Sequence, residues 1–100
     1  MPNFIARVEL HSASYVDYEA LHSYMQQYGY ARTIKGGDGK TYQLPTGTYV
    51  SAVALSPAAA ALKAAVDAAN ATGKTSSVIV ADWSSATWQG LAIVNAARTA

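Results

Sequence analysis

The order of hydrophobic patterns along the chain predicts a single α+β domain built strand–helix–strand–strand–helix–strand. Three observations lead there. The chain opens on a strictly alternating segment. Two helical stretches, each ended by glycine, are separated by extended, turn-punctuated sequence. A valine-rich run then closes the pattern before residue 84.

Residues 4–11 place Phe4, Ala6, Val8 and Leu10 on one side and Ile5, Arg7, Glu9 and His11 on the other. A period of two with one largely polar face describes a strand packed on one side. Ser14 stands where a helix is capped, and Asp17 three residues on completes a capping box. Tyr18, Leu21, Met25 and Tyr28 recur at helical spacing before Gly29, so the first helix spans about residues 15–28.

Residues 30–35 read as a short strand. It turns through Gly36-Gly37-Asp38-Gly39 and returns along Thr41 to Leu44, where Pro45 ends the pairing. Thr48 to Leu55 is a strand rich in valine, threonine and tyrosine. Ser56-Pro57 starts the second helix, with proline in the first helical position. That helix runs to Ala71 before Gly73. It is mostly alanine, with Leu62 and Val66 its only large apolar residues, which predicts close packing on the sheet. Ser76 to Trp83 is the last main strand. In the tail, Ser84 or Ser85 can cap a further helix, but Gly90 argues against a regular one.

This order is that of the split βαβ, or ferredoxin-like, arrangement, in which right-handed crossovers put both helices on one face of an antiparallel sheet. The expected division is a domain at 1–83 and a C-terminal extension at 84–100, packing through Trp88 and Leu91. The expected core is Phe4, Val8, Leu10, Leu21, Met25, Val53, Leu62, Val66, Ile79 and Trp83.

Composition narrows the function classes. Hydrophobic residues make up 51% and charged residues 13%, which excludes a disordered chain. A net charge of +1 lacks the bulk basicity of a general nucleic-acid binder. With no cysteine there is no disulfide framework and no thiolate chemistry. No signal-peptide pattern opens the chain and no apolar stretch reaches the roughly 18 residues of a membrane span. The expected location is the cytoplasm, away from the membrane.

Candidate chemistry is sparse. Gly39-Lys40-Thr41 and Gly73-Lys74-Thr75 mimic the end of a phosphate loop, but Ile34 and Ala68 occupy the positions that require an earlier glycine. No nucleotide cofactor is expected, and His11 and His22 lack metal-ligand spacing, so no metal is expected either. Both histidines read as surface residues. His11 ends the first strand on the face of Arg7 and Glu9, where an imidazole beside a carboxylate and a guanidinium can exchange protons. A solvated strand face of mixed charge explains the same pattern more simply. Arg32, Lys35 and Lys40 gather positive charge around one hairpin. That cluster can hold a phosphate backbone, or it can guard a sheet edge against aggregation.

The segments Phe4 to His11, Asp17 to His22, Gly29 to Ile34 and Tyr42 to Thr46 resemble the GhoS-type endoribonuclease antitoxins of type V toxin–antitoxin systems, over roughly residues 3–82. The resemblance implies a ferredoxin-like fold and cleavage of a partner toxin's mRNA. Nucleases of similar fold place a carboxylate at the end of the first strand. Here Leu10 and His11 stand there, with Glu9 one step back.

Two functions follow as expectations. The first is an RNA-binding protein or endoribonuclease of GhoS-like type. It would bind single-stranded RNA through Arg32, Lys35 and Lys40, with His11 and Arg7 nearest the chemistry and no cofactor. The second is a non-catalytic interaction or dimerisation module. A homodimer is expected because a one-sided sheet leaves a face and edges open.

Overall fold

The computed structural model describes residues 3–52 and 57–94. Its elements run β1 (Phe4–Leu10), α1 (Tyr15–Gln27), β2 (Tyr30–Ala31), β3 (Thr33–Lys35), β4 (Thr41–Gln43), β5 (Thr48–Ser51), α2 (Ala58–Ala71) and β6 (Ser76–Asp82). Four strands form an antiparallel sheet in the order β2-β5-β1-β6, and β3 with β4 forms a second, two-stranded sheet. The fold is therefore α+β, with two helices among the described residues.

Alternation in β1 decides the layers. Phe4, Ala6, Val8 and Leu10 are buried, while Arg7 and Glu9 are exposed. Of this inner row, Ala6, Val8 and Leu10 join Leu21 and Met25 of α1, Tyr30, Tyr49, and Ala65, Ala68 and Ala69 of α2 in one core. α1 begins as expected: the Ser14 N–H donates to the Asp17 carboxylate at 2.9 Å. Gly29 and Gly73 end the two helices with φ of 97° and 82°, a region that L side chains avoid. Ala61, Ala65, Ala68 and Ala69 form the buried stripe of α2. The Tyr30 hydroxyl donates to the Ala61 carbonyl at 2.8 Å, tying that helix to β2.

Several expectations need correction. The strand expected at 30–35 breaks at Arg32, because the chain changes sheets there: β2 pairs with β5, and β3 pairs with β4. The Arg32 carbonyl pins the break by accepting from the Leu44 N–H at 2.7 Å and the Gln43 side-chain amide at 3.2 Å. Pro57 is the N-cap of α2, not its first helical residue. Leu62 is 40% exposed, one position round the helix from the alanine stripe. Ile79 is 66% exposed, because the register puts Val78 and Val80 under the helices and Ile79 opposite Arg7 on the other face. Tyr28 is exposed, and Tyr24 packs on the core instead. Val66 and Trp83 are half-buried. Val53 and Ser56 lie outside the described residues.

The second face of the sheet is not wholly open. Ile34, Leu44 and Val50 form a second core, against which Ile5, Ala31, Tyr42, Trp83, Trp88 and Leu91 pack. The β3–β4 hairpin thus lies over the Ile5 side of this face. The tail runs along β4: the Gln43 N–H donates to the Ala92 carbonyl and the Val94 N–H to the Thr41 carbonyl, both at 2.8 Å. Trp88 meets Tyr42 with ring centroids 5.3 Å apart.

Candidate nucleic-acid interface

The uncovered part of the second face carries the polar residues of β1. Arg7 lies between Thr48 of β5 and Ile79 of β6, and Glu9 lies opposite Ser77. Arg7, Glu9, Ser77, Val78 and Ile79 line a shallow depression of about 290 Å³. Arg7 is anchored, since its Nη1 donates to the Thr46 carbonyl at 3.2 Å. The loop it reaches turns at Gly47 (φ 84°), where an added Cβ would stand 2.5 Å from the Val8 carbonyl oxygen. Only glycine lets that loop approach β1 so closely.

His11 continues the same row just past the end of β1. Its N–H donates to the Thr75 carbonyl at 2.9 Å, extending the β1–β6 ladder by one step. The ring is exposed, with Nδ1 3.0 Å from the Thr75 hydroxyl and Nε2 2.9 Å from the Ser77 hydroxyl. In the neutral ring one nitrogen donates and the other accepts. A substrate proton reaches this imidazole only if one hydroxyl relays it or moves aside. The structure therefore brings Arg7, Glu9 and His11 to one face.

The three hairpin cations are divided. Lys35 ends β3 and Lys40 precedes β4, both exposed. Asp38 orders the tip between them by accepting from the Lys40 N–H at 2.9 Å and the Tyr42 hydroxyl at 2.6 Å. The Tyr42 hydrogen bond, more than any other contact, holds the Asp38 carboxyl below its usual range. Arg32 lies elsewhere, in a cleft of about 550 Å³ beside β2.

That cleft contains a histidine the sequence placed on the surface. The His22 side chain is only 11% exposed, and its Nδ1 lies 2.7 Å from the hydroxyl of buried Tyr49. Burial, then the Arg32 charge, pulls the His22 pKa below its ordinary value. Burial also drives the Tyr49 phenol well above its own, so it stays protonated. Its partner lies 27 positions away, beyond the reach of any local pattern. The one sequence signal was position: His22 sits four residues after Tyr18, at the margin of the core stripe.

No family model, curated protein or solved structure matches this chain. The candidate site therefore rests on its geometry. Among the described residues no three histidine, aspartate or glutamate side chains gather to hold a metal ion, and no helix is long and apolar enough to cross a membrane.

Proposed function

We propose that this protein binds single-stranded RNA on the second face of its sheet and acts in the manner of a GhoS-like antitoxin in the cytoplasm. The observation that carries the reading is the sharing of one face. Ile5 packs under the hairpin that bears Lys35 and Lys40, and Ile5 stands in the same row as Arg7, Glu9 and His11. A strand of RNA laid across that face meets the lysines and then the polar row. The strand order β6-β1-β5-β2, with a helix in each crossover, supports the ferredoxin-like form of the fold.

Binding is better supported than cleavage, because both ring nitrogens of His11 are already hydrogen-bonded. The test is labelled single-stranded RNA incubated with the protein, with and without chelator, across a salt series. Replacing Lys35 and Lys40 together by alanine should weaken binding and lower the salt slope by about 1–2, as expected for one or two lost phosphate contacts. His11→Ala should slow any cleavage with little change in binding. Binding unchanged in the double-lysine variant would return the hairpin to the role of a guarded edge.

Exposed Ile79 on β6 favours a second reading, a module that associates with itself. It stands next to Arg7, on the last strand of the main sheet.

A further inference from the structure

The cleft beside β2 is lined by a half-buried arginine, Arg32, which makes no ion pair with any described residue. From its surroundings we infer that this cleft is a binding site for a phosphomonoester carried on a body the size of a nucleoside. The inference stands apart from the sheet face assigned to RNA above and does not depend on it.

Charge and donor geometry select the anion. A guanidinium presents a planar fork of donors that matches phosphate oxygens. His22 adds a directed donor. Among the described residues the buried Tyr49 hydroxyl has no hydrogen-bond acceptor other than Nδ1. With that hydroxyl as the donor, the proton of the neutral ring is on Nε2. Among the described residues Nε2 pairs with Glu19 alone, at 3.7 Å, beyond hydrogen-bond length. Arg32 and His22 line the same cleft, and the Arg32 charge acts on His22, so a phosphate bound there lies near both groups.

Size and lining select the body. About 550 Å³ far exceeds a bare phosphate and lies within the range of small-molecule sites. Ala31 and Ala52 offer apolar wall, while Ser23 and Gln26 of α1 supply groups for a ribose or a base edge. The backbone of the site is firm on one side, since the Arg32 carbonyl is held by Leu44 and Gln43. Substituting the Arg32 side chain leaves those bonds in place. Glu19 opposes an anion, which makes it a second handle on the site.

Such a group can come from a free mononucleotide or from the phosphorylated end of an RNA strand. Calorimetry with uridine monophosphate, uridine, and pentauridylate with and without a 5′-phosphate separates the sources. At least one phosphorylated probe should bind more tightly than its unphosphorylated partner. Arg32→Gln should weaken that probe about ten-fold or more, the effect of losing one charge-assisted hydrogen bond. Glu19→Gln should tighten it, and replacing Lys35 and Lys40 by alanine should not change uridine monophosphate binding. Tighter binding of the mononucleotide assigns the site to the free ligand, and tighter binding of the 5′-phosphorylated strand assigns it to an RNA end. Phosphorylated probes that bind no better than their partners, or that ignore Arg32→Gln, overturn the proposal.

Discussion

His22 shows how one side chain acquires a property that its local sequence does not announce. Its ring is held by the Tyr49 hydroxyl and shielded by the packing of α1 on β5. Because burial lowers its pKa in the folded state, the unfolded chain binds more protons between that lowered value and the ordinary 6.5. Folding is thereby favoured fully above 6.5, and this contribution is lost as pH falls through the folded value. His22→Asn keeps an acceptor for the tyrosine but cannot titrate. Urea denaturation from pH 7 to 5 should show the wild type losing stability more steeply than the variant. Equal slopes would mean that the ring is solvated in solution.

At the scale of elements, the two helices divide the work unequally. α1 contributes the large buried side chains Leu21 and Met25, whereas α2 buries only alanines. A helix lined with alanine lies close to its neighbours, and its stripe leaves no space for a larger group. Ala65→Leu should therefore destabilise the fold by about 1–3 kcal/mol through overpacking. Leu62→Ala on the exposed flank should cost about 0.5 kcal/mol or less, the usual size of a surface change. Chemical denaturation of the two variants checks both values, and similar costs would show that the stripe is loosely packed. The alanine content made close packing of α2 legible in the sequence. Its two bulky residues then misled, because size is a poor guide to burial when a helix buries its small side. β1 was legible for the opposite reason: strict alternation fixes its faces locally, and with them the shared row of Arg7, Glu9 and His11. The break at Arg32 was not, because a change of sheet within six residues leaves no periodic trace. The cleft it helps to form was hidden for the same reason, drawing as it does on α1, the β2–β3 bend and Ala52.

For the molecule as a whole, the question is what meets the side of the sheet formed by β6. The β3–β4 hairpin and the tail cover the second face around Ile5 and Val50, but Ile79 remains largely exposed. β6 is the terminal strand of the main sheet, pairing with β1 on one side only among the described residues. Its seven residues carry a single charge, that of Asp82. Strand edges of this kind are usually guarded by lysine, proline or a bulge, because unpaired backbone groups invite another strand. Antiparallel pairing of β6 with β6 of a second copy would satisfy those groups, and a register centred on Ile79 would bring the two Ile79 side chains together about the twofold axis. Sedimentation should accordingly find a dimer at high protein concentration. Ile79→Lys should return it to a monomer while costing the folded chain only about 0.5 kcal/mol, since the residue is exposed. Because Ile79 borders Arg7, the same variant separates the two functional readings. RNA binding that persists in the monomer places association and recognition on different groups. RNA binding lost together with the dimer means that the RNA surface is completed only by the second copy. A wild type that sediments as a monomer at every concentration removes self-association and leaves the β6 edge without a partner strand.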